Sequence, residues 1–183
     1  MTLNKNNLVL ILIVIISASA VLLRLLPHLA NFAPIGGLAI FAGLYATKKS
    51  WLLAPLAAMV LSDIFIGFDS WQMRLVVYGS FLVYVLIARV IKENKSILSV
   101  VGGTLAGGLV FYLTTNFAVW AFSGMYPHTL SGLIYCYEMA LPFFRNSLMG
   151  DLFYVGAFVG AYELAYGLMA SRLRLNLKQS SLR

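Results

Sequence analysis

The sequence predicts an all-α polytopic membrane bundle of about six transmembrane helices, with both termini on the cytoplasmic side. Three observations carry that expectation. The first is composition: 61% of the 183 residues are hydrophobic and only 10% are charged, against about 25% charged in an ordinary soluble domain. A chain this short has too little interior to hide so much apolar surface, so the excess must face lipid. The second is run length. Leu8–Leu26 and Ile97–Phe122 are long and unbroken, whereas a membrane barrel shows segments of roughly ten residues with alternating polarity. Every backbone polar group must be paired within the bilayer, so helices are the remaining solution. The third is the placement of basic residues.

Crossing the hydrocarbon core takes about 20 helical residues. The apolar runs place spans near 8–26, 35–46, 51–65, 75–91, 97–122 and 147–170, forming one integral membrane domain over 1–183. Pro27, His28, Asn31 and Pro34 mark the first connection, because proline stops a helix and disfavours helical geometry before it. The second run is short for a full crossing, which suggests a tilted or partly re-entrant helix. Gly67, Asp69 and Ser70 make the third connection, and Lys92–Lys95 the next polar one. After Tyr126-Pro127-His128-Thr129, Leu130–Leu141 is expected to form a short helix at the interface, with Tyr135 and Tyr137 at headgroup depth. Pro142 to Asn146 then leads into the last span, and the basic tail from Ser171 frays.

Cytoplasmic connections collect Lys and Arg. With the N-terminus inside, the inner set is Lys5, Lys48, Lys49, Arg89, Lys92, Lys95, Arg172, Arg174, Lys178 and Arg183. The outer set is Arg24, Arg74 and Arg145. The split is ten to three and accounts for all 13 basic residues. The net charge of +7 therefore reads as membrane orientation, with no nucleic-acid partner implied. Lys5 and Ser17-Ala18-Ser19-Ala20 resemble a secretory signal with a small-residue cleavage site. The apolar run continues through Val21-Leu22-Leu23, which favours an uncleaved first helix.

Charges inside a bilayer usually mark function or pairing. Arg24 falls near the outer end of the first span, Asp63 near that of the third, and Asp151 about one turn into the sixth. Arg145 lies beside the same surface. Some combination of these four is expected to be paired. Only Glu163 falls deep on the inner side. In the fifth span Tyr112, Asn116 and Trp120 are spaced by four and share one face. An amide flanked by aromatics suits a flat ligand, although Thr115 and Asn116 also suit bonding to a neighbouring helix. Arg145, Asn146, His28 and Asn31 reach the same surface through connections. The expectation is an outward-facing small-molecule pocket between the first, fifth and sixth spans, closed by the loop at Tyr126–Thr129. Glycine pairs Gly103/Gly107 and Gly156/Gly160 favour close helix contact, internal packing above a partner surface.

Several chemistries lack their residues. No Walker phosphate loop or His-Glu-x-x-His motif occurs, so ATP hydrolysis by that route and that zinc site are not expected. Cys136 is the sole cysteine, and no base is evident nearby for a nucleophile. No cofactor and no catalytic residue is expected. Asp63 and Asp151 suit a proton or sodium site in a carrier, but no internal repeat is visible.

Four blocks carry a resemblance: Arg24 to Gly43, Leu61-Ser-Asp-Ile-Phe-Ile-Gly-Phe, Thr115-Asn-Phe-Ala-Val-Trp and Pro142-Phe-Phe-Arg-Asn-Ser-Leu-Met-Gly-Asp. In order and content they resemble a bacterial family of uncharacterised inner-membrane proteins assigned to transport. More distantly, the size, span number and N-in topology are similar to the S components of energy-coupling factor (ECF) vitamin transporters. That resemblance implies capture of a vitamin-like solute at the outer face. It also implies delivery by toppling against a separate coupling membrane protein driven by ATPases. Ser17–Ala20 supplies small residues on the first helix without the alanine-x-x-x-alanine spacing of that family. The alternatives are a membrane scaffold or assembly factor, and an intramembrane enzyme or ion-coupled carrier.

Overall fold

The computed structural model describes residues 5–27 and 29–180, and His28 lies outside the described residues. The chain is an all-α bundle: α1 (Lys5–Leu25), α2 (Ile35–Tyr45), α3 (Ala54–Ile66, led in by a 3-10 turn at Lys49–Leu53), α4 (Trp71–Ile91), α5 (Ile97–Phe122) and α6 (Leu130–Ser180). Among the described residues five helical stretches are long and apolar enough to cross a membrane, and α2 is not one of them. The protein is a multi-pass membrane protein. Its outer surface fits lipid: Leu22, Val90, Ile97, Leu98 and Phe153 are all well exposed, a pattern that water would not tolerate over so wide an area.

Position by position, α1 explains itself. Val9, Ile13, Ile16 and Ala20 are buried at helical spacing, while Ile11, Val14, Ile15 and Leu22 face outward. The buried stripe faces the core and the rest faces the bilayer. Ser70 caps α4 by accepting from Met73 N. Ser96 and Ser99 form a reciprocal capping box on α5, with Ser99 N donating to Ser96 Oγ at 3.1 Å and Ser96 N to Ser99 Oγ at 2.8 Å.

α2 is the centre of the molecule. All of its 11 residues are buried, as expected for a helix apolar on every side. It packs against α4, α6, α3, α1 and α5. Glycines make that enclosure possible. A Cβ at Gly37 would stand 2.7 Å from Tyr154 Cβ, and one at Gly43 would meet Ala88 Cβ and lie 2.6 Å from Val85 O. Lipid is as apolar as leucine, so close backbone approach of this kind is a main source of helix association.

Two expectations need correction here. The second run is a half-length helix, about 16 Å long by its 11 residues, against a core of about 30 Å. The described residues before it, 26, 27 and 29–34, are non-helical, so of the about six expected spans five are long enough to cross and the short second one, expected to be tilted or partly re-entrant, is not. The last span does not begin at 147. The expected interfacial helix 130–141 and the last span are one helix, α6, with Pro142 inside it, and the basic tail stays helical to Ser180. Pro142 has no N–H for the Glu138 carbonyl, yet the helical path on either side continues.

The bundle has two distinct ends. One holds Asn6, Asn7, Thr47, Lys48 and Trp51 around a common depression, and Tyr45, Lys95 and Glu163 in mutual contact. The other holds Arg24, Ser62 and Asp63 and the α5–α6 connection. In a Cys136→Ser background, cysteines at Lys48 and Lys95 are expected to be shielded from an impermeant thiol reagent in intact cells, while one at His128 is labelled. Labelling at Lys95 without labelling at His128 would reverse the orientation.

The glycine pairs divide. At Gly107 a Cβ would stand 2.7 Å from the Tyr84 ring, and at Gly103 3.0 Å from Ile91 Cδ1. Gly156 and Gly160 have nothing within 4 Å, so internal packing, expected for both pairs, holds for the first alone. Gly156→Ala should leave thermal stability within about 0.5 kcal/mol, whereas Gly107→Ala should cost about 1–3 kcal/mol by displacing Tyr84. Equal melting temperatures for the two variants would refute this assignment of faces.

Candidate functional site

The site is built around the break in the second crossing. The described residues 26, 27 and 29–34 are non-helical and largely exposed as far as Asn31, with Pro34 buried, and the segment is held against α6. Asn146 Nδ2 donates to Ala30 O at 3.1 Å. Phe32 N donates to Leu29 O, making a tight turn, and Phe32 Cα seats on Gly150, where a Cβ would come within 3.2 Å. The Phe32 ring meets Tyr154 at 5.6 Å and Phe153 at 6.0 Å. Asn31 adopts a left-handed backbone with φ 63°, a conformation asparagine tolerates better than most residues. Irregular backbone at membrane depth persists only where protein covers it or where it lines a cavity. Here Asn31 and Ala33 line one.

That cavity, of about 360 Å³, lies between the start of α2 and helices α1, α3, α4, α5 and α6. A second, of about 340 Å³, lies between α5 and α6 beneath the connection at Met125 and Tyr126. Asn31, Val77, Phe111 and Ser147 border both, so the two are adjacent chambers. Contacts between α5 and α6 bracket the second. Tyr137 OH donates to Leu113 O at 2.8 Å, and Leu148 seats on Gly108. Pro142 lies midway between these contacts on α6.

Asp151 occupies the floor of the first chamber and is 5% exposed. It does not lie one turn below the outer surface, as expected from a span starting at 147. Tyr84 OH donates to its Oδ2, and Gly108, near the midpoint of α5, stands beside it. Asp151 is therefore level with the middle of α5. Its Oδ1 lies against Gly36 in the first turn of α2, where a Cβ would collide with it. No described cation contacts Asp151; the positive end of the α2 dipole faces it instead.

Higher in the same chamber, Arg24 Nη2 pairs with Asp63 Oδ1 at 2.8 Å. Arg24 Nη1 also donates to Ser62 Oγ, and Tyr78 OH donates to Asp63 Oδ2 at 2.5 Å. The expectation of a pairing among the outer charges is met by Arg24 and Asp63. Arg145 is exposed on α6 and borders neither chamber.

The aromatic face of α5 divides between support and lining. Tyr112 and Asn116 border the second chamber. Tyr112 OH donates to Tyr137 O at 2.6 Å and its ring stacks on Phe144 at 4.4 Å. Asn116 Nδ2 donates within its own helix to Tyr112 O at 2.8 Å, leaving Oδ1 for the chamber, and Thr115 likewise bonds its own helix at Phe111 O. Trp120 borders no chamber. Its Nε1 donates to Pro127 O at 2.9 Å and its ring meets His128 edge-on, so it pins the covering connection. The pocket is thus enclosed mainly by α2, α4, α5 and α6, with segment 26–34 as a wall, where α1, α5 and α6 were expected. Tyr84, Ser147 and Gly36 were not singled out from sequence. Only Ser147 had a readable signal, sharing a face with Asp151 at a spacing of four.

At the opposite end, Tyr45 OH donates to Glu163 Oε1 at 2.6 Å. Lys95 pairs with Glu163, donates to Tyr45 OH at 3.2 Å and stands 4.8 Å from the Tyr45 ring centroid. This contact ties α2, the start of α5 and α6 together below the chambers. The described residues hold no group of three or more metal-ligating side chains.

A multi-pass helical protein with a short, fully buried central helix and a polar-floored cavity beside its start is the class that fold and site define. The chain belongs to a family of unknown function (DUF6580), whose model matches residues 2–173. No curated protein and no solved structure matches it.

Proposed function

We propose that this protein is a membrane-embedded small-solute-binding protein of the transport type, capturing its ligand in the two adjacent chambers from the outer side of the bacterial inner membrane. The observation that carries this reading is the break between Leu26 and Pro34. A half-length helix starts beside a buried acid, with irregular backbone lining the space above. Discontinuous helices that end at a mid-membrane cavity are the recurrent way of building solute sites in bilayers, and such backbone has no other stable place there. The combined room suits a small organic molecule: apolar walls from Phe81, Phe111 and Phe143, and directional groups from Asn31, Ser147, Asp151 and Asn116. The Tyr45–Lys95–Glu163 contact closes the inner end. Energy for uptake would come from a separate coupling membrane protein with ATPases, as the S-component resemblance implies.

Ser147 borders both chambers, so Ser147→Leu fills the space between them. Purified in mild detergent, the wild-type chain should carry a small molecule detectable by mass spectrometry, and Ser147→Leu should lose it while keeping its melting transition. Equal loading of both proteins, or an empty wild type, would exclude the chambers as the site. A scaffold role is the second reading, favoured by the open surface at Gly156 and Gly160. An empty wild type that co-isolates with another membrane protein would support it.

A further inference from the structure

We propose that the ligand of the first chamber is a small organic cation, a protonated amine on a largely apolar body, held through its N–H groups by Asp151. The inference rests on the solute-binding reading above and concerns which chemistry the chamber accepts. Its first support is the charge inventory. Two charged side chains border the chamber, Arg24 and Asp151. Arg24 already has a counter-charge: Asp63 pairs with it, and Ser62 Oγ and Met59 O accept from it. Asp63 in turn takes the Tyr78 hydroxyl. Asp151 has no such cation. Tyr84 satisfies Oδ2, and no described donor reaches Oδ1.

The second support is a polar residue beside it that borders the same space. Ser147 is 7% exposed, borders both chambers and sits one turn above Asp151 on the same face of α6. A serine hydroxyl there can accept as well as donate a hydrogen bond. Asn31 stands above, also bordering both chambers. An ammonium group has three donors and no acceptor. It would meet a carboxylate oxygen, a hydroxyl and an amide oxygen from these three residues. An anionic ligand would face Asp151 with no free cation to receive it. A bare metal ion would be mismatched in a chamber of about 360 Å³ walled by Phe81, Phe111 and Met59, since such ions need a close shell of oxygen ligands.

The test uses the full chain in mild detergent and a panel of matched probes: benzylamine and phenethylamine, their neutral alcohols, and benzoate and phenylacetate. Binding is read by isothermal titration and by thermal shift. The amines should bind saturably and raise the melting temperature. Asp151→Asn should weaken amine binding about tenfold or more, the usual consequence of losing a charge-assisted hydrogen bond. Comparison of amines with neutral isosteres on the wild type needs no variant, so the proposal stands or falls even if Asp151→Asn does not fold. Tighter binding of the alcohols or carboxylates would overturn the cation chemistry and leave the solute site intact. If no probe binds, the molecule that co-purifies decides: a cationic one supports the proposal, and a neutral or anionic one overturns it. A wild type with neither probe nor co-purified molecule overturns this inference and the solute-binding reading together.

Discussion

Asp63→Ala is expected to lower the stability of the detergent-solubilised protein by about 3–5 kcal/mol, the usual cost of stranding one partner of a buried ion pair. The side chains of Arg24 and Asp63 are 17% and 10% exposed, so solvent cannot take over from the missing carboxylate. Arg24 would keep Ser62 and Met59 O as acceptors but lose its only counter-charge, and Tyr78 OH would lose its acceptor. The double variant Arg24→Leu/Asp63→Leu should recover much of the loss, because replacing both partners removes the desolvation problem with the attraction. Thermal unfolding of the three proteins checks this. A single variant that melts like the wild type would mean the pair is screened and contributes little.

The second large effect is expected at Gly36. A Cβ there would overlap the Asp151 carboxylate, and neither α2 nor α6 has slack to yield, since α2 is buried on every side. Overpacking of this kind costs about 1–3 kcal/mol, and the displaced carboxylate would also lose Tyr84. Gly36→Ala should therefore both destabilise the protein and abolish ligand loading. Adding Asp151→Ala should make Gly36→Ala nearly harmless to stability, a coupling that separate sites would not show. Additive melting shifts for the two substitutions would contradict the contact.

Much of the fold was legible because lipid simplifies the problem. Long apolar runs need helices, and the runs at α1, α4 and α5 appear within a few residues of their expected limits. The errors fall where proline and tertiary packing compete. Pro27 and Pro34 do bound a break, but nothing local shows that Ala30 and Phe32 settle on α6; that depends on Gly150 and Asn146, more than a hundred residues away. Pro142 to Asn146 read as a connection leading into the last span, and α6 runs through it. That one misreading put Asp151 about one turn into the last span, whereas it stands level with the middle of α5.

The site was legible in part for the same reason. Arg24, Asp63 and Asp151 stood out because charges in apolar runs are costly. Asn31, Tyr112 and Asn116 do border the chambers, whereas Trp120 and Asn146 brace the connections around them and Arg145 faces outward. Periodicity tells which residues share a face of one helix. It does not tell which face meets which neighbour. Tyr84 illustrates the limit: an ordinary aromatic in α4 becomes the sole described bonding partner of Asp151 because Gly107 makes room for its ring.

The account turns on the chambers beside segment 26–34 holding a small molecule. An electron-microscopy structure of the wild-type chain in lipid nanodiscs, with a bound antibody fragment to aid alignment, tests this most directly. The account predicts non-protein density in the first chamber, within hydrogen-bond distance of Asp151 and Ser147 and continuous toward Asn31. Side chains packed across that space, with Asn31 turned to lipid and α2 extended into a full-length straight helix, would contradict it.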